Sequence, residues 1–167
     1  MLLPEVDLSP VCRLVHYTRE LVPVYHSWFE QYPQLLQLTA SEPLTLQEEL
    51  DNQQSWILDK NKVTYIILDS TDNRPVGDVN CFISEDHVGE LNVMIAVPSA
   101  RRKGLARIAI RTIMQTVNIH CPEITRFIAK IDAENIPSRT MFEKLGFKLT
   151  KTLPVFNEAH YEVEYNR

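Results

Sequence analysis

Arg101, Arg102 and Lys103 bring three cations to a turn that ends at Gly104. A helical apolar repeat follows at once, with Leu105, Ile108, Ala109, Thr112, Ile113, Thr116 and Ile119 spaced by three and four. The chemistry open to such a turn is anion binding. The first turn of a helix has N–H groups without helical partners and the positive end of the dipole, and both suit a phosphate. Glycine lets the backbone approach a ligand closely. The chain has only 4 glycines, where average usage of about 7% would give about a dozen. A solvated basic loop has the same composition over so few residues, so the surroundings decide. Neither G-x-x-x-x-G-K-[ST] nor G-x-G-x-x-G occurs, which excludes a P-loop and a Rossmann turn here.

The element before this turn must aim it. In residues 90–97, Leu91, Val93, Ile95 and Val97 alternate with Glu90, Asn92, Met94 and Ala96, and Pro98 stops the run. The pattern predicts a strand with one core face and one available face. Residues 1–10 hold two prolines and no periodicity and read as an irregular arm. A strand over 11–17 follows, then two short helices flanking a 35–44 loop, the second opened by the capping box Thr45-x-x-Glu48. Residues 62–69, 76–83 and 90–97 read as an antiparallel meander. After the 104–119 helix come a strand at 124–131, a helix at 137–145 and closing strands at 147–153 and 161–165. The order is β-α-α-β-β-β-α-β-α-β-β.

Composition bounds the reading. A chain of 167 residues with 44% hydrophobic and 23% charged content fits one soluble domain, residues 1–167. No apolar run is long enough for a membrane span, and the N-terminal residues lack a signal-peptide pattern, so a cytoplasmic protein without a membrane partner is expected. The net charge of -5 disfavours nucleic acid, yet Arg101, Arg102, Lys103, Arg107 and Arg111 gather 5 of the 17 cations. That distribution suits a small anionic ligand. Cys12, Cys81 and Cys121 show no C-x-x-C and no histidine at ligand spacing, so no metal site is expected.

A second pattern follows the 124–131 strand: Asn135-x-x-Ser138-x-x-Met141-Phe142-Glu143-Lys144-Leu145-Gly146-Phe147. Arg101-x-x-Gly104-x-Ala106 resembles the [QR]-x-x-G-x-[GA] pyrophosphate loop of the GNAT superfamily, and the second pattern resembles that superfamily's N-x-x-S-x-x-h-[YF]-E-K-L-G-F motif. The two stand in the family's order, each after a predicted strand. Residues 38–45 (LTASEPLT), Ser55-Trp56, 76–80 (VGDVN) and 93–104 resemble the RimJ/RimL branch, and within it the N-acetyltransferase-9-like proteins. The resemblance implies an α/β (α+β) GNAT fold. Its sheet is mixed, mostly antiparallel, of six to seven strands, splayed at the central strand and flanked by about four helices.

The resemblance further implies acetyl-CoA as cofactor and transfer of an acetyl group to an amine by direct attack on the thioester. The backbone of Ile95 and Val97 is then expected to hold the pantetheine, Arg101, Arg102, Lys103, Gly104, Leu105 and Ala106 the pyrophosphate, and an N–H near Met94 or Ile95 the oxyanion. Such a transfer needs a neutral amine, oxyanion donors and a proton path. Glu90, on the available face, is the first candidate for the base, with Asp78 and His87 in reserve. Phe142 occupies the position where many GNAT enzymes carry a proton-donating tyrosine, and a phenyl ring cannot donate. Ser138, assisted by Asn135, is the alternative acid; otherwise Ser138 is a helix N-cap.

The expected acceptor is the α-amine of a protein or peptide N-terminus, held by the 35–44 loop and the 154–160 hairpin through Ser41, Glu42, Glu158 and His160. A lysine side chain or a small amine is the alternative acceptor. A non-catalytic coenzyme-binding module is the rival of another class. A monomer or weak homodimer is expected.

Overall fold

The computed structural model describes residues 1–165, so the last two residues of the expected 1–167 domain lie outside the described part. The strands are β1 (Val6–Leu8), β2 (Cys12–His16), β3 (Lys62–Asp69), β4 (Arg74–Ile83), β5 (Val88–Ile95), β6 (Arg126–Asp132), β7 (Lys148–Leu153) and β8 (Glu158–Glu164). The helices are α1 (Val22–Gln31), α2 (Gln34–Leu38), α3 (Leu46–Leu58), α4 (Leu105–His120) and α5 (Ile136–Lys144). The strands form one 8-stranded sheet in the order β1-β2-β3-β4-β5-β6-β8-β7.

The expected fold class holds, with eight strands in place of six or seven and five helices in place of four. The arm is not wholly irregular, because Val6–Leu8 pairs with Leu14–Cys12 at the sheet edge. Three residues between prolines carry no periodicity; tertiary pairing makes them a strand. The 35–44 loop likewise yields its first residues to α2.

Every pairing is antiparallel except β5 with β6, which are joined by the α4 crossover that a parallel pair requires. Pairing of β5 with β6 spans only Val88↔Arg126, Gly89↔Phe127 and Glu90↔Ile128. β5 stays paired with β4 as far as Gly77↔Ile95, and β6 with β8 as far as Asp132↔Glu158. The sheet therefore parts between β5 and β6 beyond Glu90. Gly77 permits the tight β4–β5 approach, since a Cβ there would stand 2.0 Å from the Met94 carbonyl oxygen.

One face is covered by α4, whose Leu105, Ala109, Ile110, Ile113 and Val117 pack with Val79, Cys81 and Leu91 of the sheet. Full burial of each large aliphatic contributes about 1.5–3 kcal/mol. The other face receives α1 and α3, where Tyr17, Tyr25 and Trp28 pack with Ile66, Met94 and Ala96. α3 starts at a complete capping box between Thr45 and Glu48, worth about 1 kcal/mol. The available face of β5 is thus narrower than its alternation suggests. Asn92 is exposed and Glu90 half-buried, while Met94 and Ala96 are covered by the helices.

Candidate functional site

The cationic turn is built by its own side chains. Arg101 donates from Nε to the Ile95 carbonyl and from a terminal nitrogen to the Ala96 carbonyl, both at 2.9 Å. Lys103 Nζ lies 3.3 Å from the buried Asp69 carboxylate at the end of β3. Hydrogen bonds from Thr71 are the main reason that carboxyl is held below its usual range. Two of the three cations thus tie the turn to the sheet, leaving Arg102 exposed with Arg107. The Arg101 guanidinium faces inward because two strand-end carbonyls need donors, which leaves the expected pyrophosphate role of residues 101–106 to the backbone and to Arg102.

The backbone of the turn is free to bind. Arg102 and Gly104 take left-handed φ values of 63° and 85°, a conformation glycine adopts without the Cβ penalty. The first helical bond runs from the Ile108 N–H to the Gly104 carbonyl. The N–H groups of Arg102 through Arg107 meet no acceptor among the described residues. A Cβ on Gly104 would enter open space. An array of unspent donors at the start of a 16-residue helix, with Arg102 and Arg107 exposed on the same turn, fits a pyrophosphate.

The gap between β5 and β6 leads to this turn. Its β5 side is the backbone of residues 91–95, which has β4 as its only strand neighbour. The Val97 N–H donates to Val76 O at 3.2 Å and its carbonyl accepts from Ala100 N at 3.0 Å, keeping one lone pair for a ligand. The Ile95 carbonyl is spent on Arg101. Both residues therefore shape the end of the strand. Met94 is buried beneath α1, so only its backbone could face the gap.

Glu90 Oε2 accepts from Lys130 Nζ at 2.6 Å. The first-choice base therefore has a cationic partner that alternation could not reveal. Asp78 sits opposite Met94 in the β4–β5 register and is only 4% exposed. Burial pushes its carboxyl up to about 7, against an opposing hydrogen bond from Asn80 Nδ2. Thr64 in turn donates to Asn80 Oδ1 at 2.6 Å. His87 lies in the turn before β5, seven residues from Met94, or about 23 Å along a strand.

Asn135 is the N-cap of α5, accepting from the Ser138 N–H at 3.2 Å. The alternative reading of Ser138 as that cap is corrected, and its hydroxyl makes no hydrogen bond among the described residues. Phe142 is 2% exposed and meets Phe147 edge-on at 5.0 Å. It is a core ring. Ser41 and Glu42 line a cavity with α1 and α3, whereas Glu158 and His160, bonded at 2.9 Å, stand on β8. The four expected acceptor residues do not form one cluster. Sequence reading missed Lys130, whose link to Glu90 appears only when the strands are in register.

Residues 12–148 match the acetyltransferase (GNAT) domain family. An N-acetyltransferase 9-like protein of Nematostella vectensis is 43% identical over 165 residues, covering 92% of this chain and 82% of the relative. A Mus musculus protein named alpha/beta-tubulin-N-acetyltransferase 9 is 45% identical over 159 residues, covering 87% of this chain and 65% of the relative. The fold resembles RimL, the ribosomal L7/L12 alpha-N-protein acetyltransferase, with a TM-score of 0.84 at 16% identity over 98% of this chain and 96% of that one.

Proposed function

The chain belongs to the GNAT family of acetyltransferases, enzymes that use acetyl-CoA, and on that premise we propose that it acetylates the N-terminal α-amine of a protein or peptide. The observation that carries this reading is the strength of the base on offer. Glu90 is ion-paired, and Asp78 is poised at about 7. An α-amine with a reference pKa near 7.8 is about one-third neutral at pH 7.5, whereas a lysine amine near 10.4 is neutral to about 0.1%. A carboxylate of such modest basicity suits the former.

Acetyl-CoA would bring an activated acetyl thioester, held by the N–H groups of residues 102–107 and by the β5 edge. The chain supplies orientation and proton handling. In this reading Asp78 accepts the proton released by the amine at a carboxylate oxygen. Asn80 orients that carboxylate, and Thr64 orients Asn80. Ser138 holds a proton at Oγ for the departing sulfur, because Asn135 has taken over the cap. A free N–H of residues 91–95 is assigned to the developing oxyanion.

The relatives named for α/β-tubulin make a protein N-terminus a fitting acceptor. A cytoplasmic monomer or weak homodimer, without nucleic-acid or membrane partners, completes the reading. Among the described residues no helix is long and apolar enough to cross a membrane, and Cys12, Cys81 and Cys121 are free. The test offers the protein acetyl-CoA with two peptide pools, one with free N-termini and blocked lysines, the other the reverse, and locates the acetyl group by mass spectrometry. Acetylation confined to lysine would overturn the assignment.

A further inference from the structure

α1, the 39–45 segment and α3 enclose a cavity of about 230 Å³. Its walls include the rings of Tyr25, Phe29 and Trp56, and its polar groups include the carboxylates of Glu30, Glu42 and Glu49. No lysine or arginine lines it. Glu49 is only 7% exposed, and its carboxylate receives no hydrogen bond among the described residues. Burial raises its pKa, and the nearby His26 only partly offsets this. His26 itself pairs with Glu30 at 3.6 Å. A carboxylate that faces the cavity with no protein donor rewards a ligand that brings one.

We propose that this cavity binds one alkylammonium group, with the ammonium on Glu49 and its carbon chain against the outer side of the Tyr25–Phe29 ring pair, whose centroids stand 5.6 Å apart. The volume lies below the range for drug-sized ligands and matches a single side chain or small alkylamine. Trp56 already carries the Lys62 ammonium 4.2 Å from its ring centroid. The carboxylates, rather than this ring, therefore supply the attraction. The cavity adjoins the proposed acetyl-transfer site, because Glu49 is close enough to Asp78 for the two charges to act on each other, and the proposal rests on that reading. No β4 or β5 residue lines it, and Tyr25 joins the packed layer that covers Met94. Its ligand is therefore a second cationic group, from the acceptor polypeptide or from a free amine. The binding test below is independent of any acetyl transfer.

The experiment titrates pentylammonium and 1-pentanol into the full chain and follows the indole N–H signals of Trp56 and Trp28 by NMR. Pentylammonium shifts Trp56 at least about tenfold more tightly than the alcohol, as expected for a charge-assisted contact. Glu49→Gln removes that preference. Glu42→Gln, at the exposed rim, provides a second variant and weakens binding by a smaller factor. A blocked peptide with one free lysine, if it competes, identifies the polypeptide as the source; binding of the amine alone identifies a free amine. Equal binding of amine and alcohol, no shift with millimolar amine, or unchanged selectivity in Glu49→Gln would overturn the proposal.

Discussion

Glu90 and Lys130 meet at 2.6 Å just where β5 and β6 cease to pair, so the carboxylate on the open face is engaged before any amine arrives. The pair is partly exposed, with side-chain exposures of 27% and 40%, and is worth no more than about 1 kcal/mol to stability. Glu90→Gln is expected to leave the unfolding midpoint nearly unchanged and kcat within about threefold, whereas loss of a general base costs about a hundredfold or more. Steady-state kinetics on the two variants Glu90→Gln and Asp78→Asn decide it. A hundredfold loss in Glu90→Gln alone would restore Glu90 as the base.

Asp78 makes stability depend on pH in a defined direction. Its folded pKa of about 7 lies above its reference value of 3.8, so the folded state holds the extra proton. The stabilisation linked to this proton is complete below about pH 4 and is lost as pH rises through about 7, for a total on the order of 4 kcal/mol. Asp78→Asn should therefore gain stability over the parent at pH 8 relative to pH 5. Urea unfolding at the two pH values measures the difference. The rate supported by the parent should rise with pH through about 7 as the carboxylate forms.

Gly104 combines a left-handed backbone with open space at its Cβ. Gly104→Glu places a negative charge among the N–H donors and should weaken acetyl-CoA binding by about a hundredfold or more, equivalent to losing one or two charge-assisted contacts. Gly104→Asn, which tolerates this backbone, separates strain from charge. Calorimetric titration gives both affinities. Normal affinity in Gly104→Glu would displace the pyrophosphate from this turn.

Arg101 bridges two adjacent carbonyls, which the point charge of a lysine does not reproduce. Arg101→Lys should lower stability by about 1–3 kcal/mol and increase amide hydrogen exchange in residues 96–101. Unchanged exchange there would show that the turn is held by other contacts.

Phe142→Tyr inserts a hydroxyl into the contact with Phe147. Without a partner it should cost about 1–3 kcal/mol and bring no gain in kcat, since position 142 is closed to solvent. Thermal unfolding and single-turnover rates test the two parts. A faster enzyme would show that the ring reaches the reaction.

The elements with long periodicity were readable. α4 announced itself by its stripe, α3 by its capping box, and β3 by a β-branched run whose bounds the structure repeats. The cationic turn into α4 was also readable, because its charges and its glycine are local to residues 101–106. Asp78 was read only as a reserve base, since a carboxylate near neutrality is a product of the α1 and α3 packing and no neighbouring residue in sequence signals it. Lys130 and Glu90 lie forty positions apart and meet only through the parallel register. Arg101 resembled a phosphate ligand because residue type shows charge but not direction.

Three backbone pairs connect β1 through β5 with β6, β8 and β7. The sheet is thus two leaves sharing a short spine at residues 88–90 and 126–128, each leaf keeping its own ladder intact. Bending concentrates along that spine, where few bonds resist it. The opening between the leaves exists while both ladders stay paired, so a long thioester can enter and leave without melting a strand.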